Sequence, residues 1–248
     1  MTLIPGLDIS IYQGLVPEAT WRCFYQDGQR VAIVGAAHPK PNPYAAGNFA
    51  NAERAGFRHF ATYAALYPGV PGRGTIQVAK AMCGGYWPRL SFVAVDCETD
   101  GITKGQIHEA VGEVQGEGKR PVIYTARWWW RDHFGNPTDF KALPLWNAYY
   151  DSDPDIDFAT APYGGWAGVM GEQYAGTVTL CGVGVDKNSF DEAFIEEDDV
   201  TKEEVLAMLT YTAAVLRNEI KAGFDQQGNL LKLGLTDLDA RVKKLEEK

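Results

Sequence analysis

The chain has 248 residues, 46% hydrophobic and 22% charged, the balance of a folded globular protein rather than a disordered one. Its formal net charge of −9 disfavours a phosphate backbone, so nucleic acid is not an expected partner. No run approaches the ~18 apolar residues of a membrane span, and the opening Met-Thr-Leu-Ile-Pro-Gly lacks the basic and apolar parts of a secretory leader. The expectation is a protein made in a cytoplasm without a signal peptide.

Taken in order, residues 4–7 read as a short strand ending at Asp8, with Ser10 and Tyr12 behind it. Alone, Asp8 reads as a helix cap. Residues 31–37 (VAIVGAA) form a continuous apolar run, the pattern of a parallel strand covered on both faces. His38-Pro39-Lys40-Pro41 follows, with His38 expected in a surface loop. Residues 48–54 suit a helix stopped by Gly56. His59 then packs or caps at the start of a strand over 60–66, which carries Tyr63. Residues 92–95 (FVAV) form the next buried strand and end on Asp96-Cys97-Glu98.

The clearest helix spans 103–117. Thr103 and Gln106 make a capping-box pair, Ile107, Val111 and Val114 share a face, and Gly118 ends it. Residues 121–126 (PVIYTA) return as a strand holding Tyr124. Residues 145–150, with Trp146, and 172–175, with Gln173, are weaker strand candidates. Val183-Gly184-Val185 leads into Asp186, which alone reads as a turn residue. Strand, helix and strand joined by short connectors imply a parallel sheet. The expected fold is α/β, a TIM-like β/α barrel over residues 1–195, closed or nearly so.

Residues 196–248 change character. An acidic Glu196-Glu197-Asp198-Asp199 precedes a capping box at Thr201 and Glu204. Val205, Leu209, Thr212 and Leu216, then Leu231, Leu235, Leu238, Val242 and Leu245, follow heptad steps. A helical tail with an apolar stripe cannot bury that stripe alone, so homo-oligomerisation or attachment is expected of it. Cys23, Cys83, Cys97 and Cys181 show no C-x-x-C pair and are expected to be buried free thiols. Neither a metal nor a cofactor is implied.

The strongest chemical signal is Asp96-Cys97-Glu98. Side chains alternate along a strand, so Asp96 and Glu98 share one side. Paired carboxylates at the C-terminal end of a barrel strand lie where such barrels build active sites. Burial and like-charge repulsion would keep a proton on one of them, as cleavage of a glycosidic bond requires. A solvated turn or a divalent-cation site would share the pattern. The 7 Trp and 12 Tyr suit stacking on sugar rings, although core packing accounts for many aromatics.

Seven segments together carry a resemblance to a known family. Gly6-Leu7-Asp8-Ile9-Ser10-Ile11-Tyr12-Gln13-Gly14 looks like the opening strand of glycoside hydrolase family 25, the Chalaropsis-type lysozymes. The stretch from Asn48-Phe49 to Ala55-Gly56 resembles that family's helix, and Ala94-Val95-Asp96-Cys97-Glu98 its D-x-E strand. Pro121-Val122-Ile123-Tyr124-Thr125, Pro144-Leu145-Trp146-Asn147-Ala148-Tyr149, Gln173-Tyr174 and Val185-Asp186-Lys187-Asn188-Ser189-Phe190 resemble its later segments, in the right order.

The resemblance implies a β/α barrel that hydrolyses the β-1,4 bond between N-acetylmuramic acid and N-acetylglucosamine in peptidoglycan, of the phage endolysin type. By analogy Glu98 is the general acid, Asp96 orients or stabilises the substrate, and Asp8 and Asp186 support them electrostatically. Tyr63, Tyr124, Trp146 and Gln173 are candidates for lining the sugar groove; for Tyr63 and Tyr124 core packing is an equal alternative. The chain departs from the pattern at His38-Pro39-Lys40-Pro41, at Tyr44-Ala45-Ala46, where an aspartate is missing, and at Ala64-Ala65. These departures keep a second reading open, a non-catalytic glycan-binding barrel of a phage or cell-surface assembly. The hydrolase would act at the cell wall after release from the cytoplasm.

Overall fold

The computed structural model describes residues 2–196 apart from 39, 157 and 159–161, and gives residue 38 by its backbone only. The heptad-patterned tail expected over 196–248 therefore lies outside the described residues beyond residue 196.

Nine strands are seen among the described residues: β1 (Leu3–Ile9), β2 (Val31–His38), β3 (Lys40–Pro41), β4 (His59–Ala65), β5 (Leu90–Asp96), β6 (Pro121–Ala126), β7 (Leu145–Ala148), β8 (Gly171–Leu180) and β9 (Val183–Asp191). Their order is β1-β9-β8-β7-β6-β5-β4-β2-β3, and a further β1–β2 pairing closes the sheet into an eight-stranded barrel with β3 as a short appendage. From β1 through β2, β4, β5, β6 and β7 to β8 every neighbour is parallel. β9 alone runs against both its neighbours, β8 and β1. The barrel is thus TIM-like in closure but irregular in its last quarter, where a hairpin replaces a helical crossover.

Helices α1 (Glu18–Gln26), α2 (Ala45–Ala55), α3 (Gly72–Cys83), α4 (Lys104–Gly116) and α5 (Arg127–Phe134) fill the connections up to β7, and α6 (Glu192–Glu196) follows β9. The capping box at Thr103 and Gln106 is present at the start of α4, and Ile107, Val111 and Val114 are buried on it. α2 begins three residues before the expected 48–54 and is closed by Gly56 in the left-handed region at φ 115°. Strand limits shift by one to three residues at most ends. The larger differences are in β8, which runs five residues further than expected, and in Asp8 and Asp186. Both are strand residues, not a cap and a turn, and they face each other across the β1–β9 register.

The alternation of the strands decides what fills the barrel. Ile4, Val31, Ile33, Ala61, Phe92, Ala94, Val122, Trp146 and Phe190 pack together as one buried cluster. Phe190 has room because Gly6 and Gly171 flank it: a Cβ would lie 2.9 Å from its ring at Gly6 and 2.2 Å at Gly171. Leu7, Ala32, Val34, Phe60, Val93, Val95 and Ile123, of the opposite parity, are also buried, beneath the helical layer. This is why the strands read as unbroken apolar runs rather than alternating ones.

The cysteine expectation is corrected in part. Cys83 and Cys97 are buried free thiols. Cys23 on α1 and Cys181 at the β8–β9 turn are instead bonded as a disulfide, with Cα atoms 6.2 Å apart. Their 158-residue separation gives no local signal, and only closure of the barrel brings α1 beside the hairpin.

Candidate active site

The C-terminal ends of the parallel strands surround a pocket of about 240 Å³, lined by Asp8, Tyr63, Tyr67, Asp96, Glu98, Thr99, Tyr124, Trp146, Gln173 and Asp186. All eight residues singled out from the sequence line it. Four strands contribute the residue two positions above an inward-facing one: Asp8 above Gly6, Tyr63 above Ala61, Asp96 above Ala94, Tyr124 above Val122. The period-2 pattern that builds the core therefore also aims the site.

Asp96 is the last residue of β5 and Glu98 lies beyond the strand end. The two acids are not simple strand alternates, because the Glu98 N–H donates to Asp96 Oδ1 at 3.0 Å and folds the chain over at that point. Glu98 Oε1 is buried without a hydrogen-bond partner among the described residues. Burial first, and the neighbouring Asp96 charge second, push the Glu98 carboxyl from 4.5 up to about 8, against a backbone hydrogen bond from Ala126 that acts the other way. Near neutral pH this acid holds its proton.

Asp8 is held by two amides whose orientation is forced. Gln173 Oε1 accepts from the hydroxyls of Tyr124 (2.7 Å) and Tyr150 (2.8 Å), which turns its Nε2 toward Asp8 Oδ2 at 2.8 Å. Asn188 Oδ1 accepts from Trp146 Nε1 at 3.0 Å, which turns its Nδ2 toward the same oxygen at 2.9 Å. Despite these donors, burial and the adjacent Asp186 raise the Asp8 carboxyl, and burial raises Asp186 as well. Two acids set opposite each other across the β1–β9 register disfavour each other's ionisation. Asp186 is anchored by the Thr177 N–H at 2.5 Å, supplied where the β8–β9 register slips and Thr177 adopts φ 55°.

Tyr63 lies across its neighbour strand, and Gly35 makes that possible. A Cβ at Gly35 would lie 2.3 Å from the Tyr63 ring. Trp146 and Tyr124 are 4.6 Å apart between ring centroids and form the opposite wall. Ala64 and Ala65, two of the departures from the family pattern, are buried and do not line the pocket. Sequence reasoning missed Tyr67, Thr99, Tyr150 and Asn188. Asn188 was accessible from its inward parity with Asp186 and Phe190; Tyr150 sits in a connection whose path no local pattern specifies. Among the described residues no group of three or more His, Cys, Asp or Glu is placed to hold a metal ion.

A TIM-like barrel gathering acids and aromatic rings at the C-terminal ends of its strands has the build of a glycoside hydrolase. The chain belongs to that class through a particular family: it is a member of glycosyl hydrolases family 25, whose family model matches residues 7–183. Among curated relatives it is 34% identical over 118 residues to probable GH family 25 lysozyme 3 of Dictyostelium discoideum, covering 47% of this chain and 22% of that protein. It is 29% identical over 184 residues to counting factor 50 of the same organism, covering 69% and 61%. The chain thus spans less than two thirds of the length of either relative. Among solved structures, a family 25 glycosyl hydrolase from Bacillus anthracis shares the fold at a TM-score of 0.60 and 16% identity, covering 77% of this chain and 91% of that one. The CTP1L endolysin shares it at a TM-score of 0.59 and 18% identity, covering 79% and 69%.

Proposed function

We propose that this chain hydrolyses peptidoglycan as an N-acetylmuramidase, cutting the β-1,4 bond between N-acetylmuramic acid and N-acetylglucosamine. The observation that carries the reading is Glu98, a half-buried lining residue of the pocket with Oε1 shielded from water and its carboxyl raised to about 8. A neutral carboxylic acid there can protonate a leaving glycosidic oxygen at neutral pH. Asp96, turned toward the same pocket, orients the substrate or stabilises positive charge developing on the sugar ring. Asp8 and Asp186 support Glu98 and Asp96 electrostatically from the β1–β9 wall. Tyr63, Tyr124 and Trp146, almost wholly buried, form aromatic lining beneath the sugar, and Gln173 keeps Asp8 in place.

The test is lysis of purified cell walls followed by turbidity, with wild type and Glu98→Gln. Wild-type clearing with new muramic-acid reducing ends, abolished in the variant, supports the reading. Equal wall binding by both proteins with no clearing by either would favour the glycan-binding alternative.

The site of action follows as a proposal. The Cys23–Cys181 bond suits an oxidising space, which agrees with action at a cell wall after release rather than in the cytosol. The endolysin role fits similarity to a protein of that description. Residues 196–248 are proposed to multimerise the enzyme through their heptad stripe. Light scattering of the full chain in solution checks this, and a monomeric mass would refute it.

A further inference from the structure

Behind the pocket wall lies a buried polar chain that the proposed chemistry does not use. The β7–β8 register sets Asn147 beside Glu172. Both have the parity opposite to the inward-facing Trp146 and Gln173, and both are buried, at 5% and 1% exposure. Asn147 Nδ2 donates to Glu172 Oε2 at 2.8 Å. With its amide nitrogen so committed, Asn147 offers Oδ1 to the Tyr163 hydroxyl at 2.9 Å. The same hydroxyl lies 3.1 Å from the carbonyl oxygen of Thr125. One hydroxyl proton is thus divided between two acceptors.

The Thr125 carbonyl belongs to the same peptide unit as the Ala126 N–H, and Ala126 makes the backbone hydrogen bond to the Glu98 carboxyl. Donation to a peptide carbonyl polarises the unit and strengthens its N–H as a donor. We infer that Tyr163, whose hydroxyl proton is shared between Asn147 and Thr125, is a positioning residue that acts on Glu98 through the Thr125–Ala126 peptide. The inference rests on reading Glu98 as the proton donor. Other groups also face Glu98: Asp96 and Cys97 from β5 and its end, Tyr124 from β6, and Tyr150 beside it. Tyr163 differs from them in reaching it through a hydrogen-bonded peptide as well as through space.

Two variants pull the relay in opposite directions. Tyr163→Phe removes the donor to Thr125, weakens the Ala126 N–H and moves the Glu98 titration to higher pH. Asn147→Leu removes the competing acceptor, gives the Tyr163 proton wholly to Thr125, and moves the titration to lower pH. Each shift is expected at about half a pH unit. The readouts are the carboxyl carbon resonance of Glu98, assigned by its loss in Glu98→Gln, and the alkaline limb of the pH–rate profile for wall lysis. Should one variant fail to fold, the direction of the other decides. Two folded variants that titrate as wild type, or shift in the same direction, would overturn the relay. Opposed carboxyl shifts in a protein that lyses no wall would end the hydrolase reading and leave the relay standing. Lysis with unmoved titrations would end only the relay.

Discussion

Glu98 and Gly35 show how much of the site depends on single side chains, or on the lack of one. Glu98→Gln keeps the shape of the buried group and removes its transferable proton. Wall lysis should fall by about 10³-fold or more, with the fold intact by circular dichroism. With Glu98 as the proposed proton donor, wild-type kcat/KM is expected to decline as the pH rises through about 8, a limb that Glu98→Gln would remove. Gly35 acts by absence. Gly35→Ala drives a methyl into the Tyr63 ring, and the ring or strand β2 must move. A loss of about 1–3 kcal/mol in denaturant unfolding is expected, with a raised KM because Tyr63 leaves its place on the pocket wall. An unchanged midpoint would mean that β2 yields freely there.

At the scale of elements, the β8–β9 hairpin separates this barrel from a regular one. It reverses the chain, sets Asp186 opposite Asp8 and, through the Thr177 bulge, fixes the Asp186 carboxylate. The Cys23–Cys181 bond ties the tip of that hairpin to α1. Denatured protein should show two reactive thiols before reduction and four after, since Cys83 and Cys97 are free. Reduction, or Cys23→Ser with Cys181→Ser, should lower stability by about 3 kcal/mol. Its first effect should be faster amide exchange in β8 and β9 beyond Thr177. Uniform loss across the barrel would show that the hairpin has no separate mobility.

For the whole molecule, the gathered acids make stability depend on pH in a definite direction. The folded chain holds a proton on Glu98 up to about pH 8, against an ordinary 4.5. The fold therefore binds protons that the unfolded chain has already lost. The stability linked to them is complete below about pH 4.5 and is lost as the pH rises through 8. Asp8 and Asp186, raised by burial, act in the same sense. The unfolding free energy should be larger at pH 5 than at pH 8.5 by on the order of a few kcal/mol, and the melting temperature correspondingly higher. Glu98→Gln should flatten the slope. A Tm that rises with pH over this range would contradict the burial of these acids.

The order of β1, β2 and β4 to β8, helices α2 and α4 with the capping of α4, and the pairing of Asp96 with Glu98 at the end of β5 were legible in the sequence. Each is set by spacing along the chain: two residues per strand repeat, 3.6 per helical turn, three from cap to box. α1, α3, α5 and the antiparallel turn of β9 were not legible, because their identity depends on the surface against which they pack. Nor was the Cys23–Cys181 pairing, the keyed amides of Gln173 and Asn188 about Asp8, or the peptide joining Tyr163 to Glu98. These join positions far apart along the chain, and closure of the barrel alone decides which of them meet. The sequence by itself determined which acids the barrel would carry; the tertiary structure decided which of them keep their protons, since a carboxyl's affinity for hydrogen ions follows from its distance to water and to other charges.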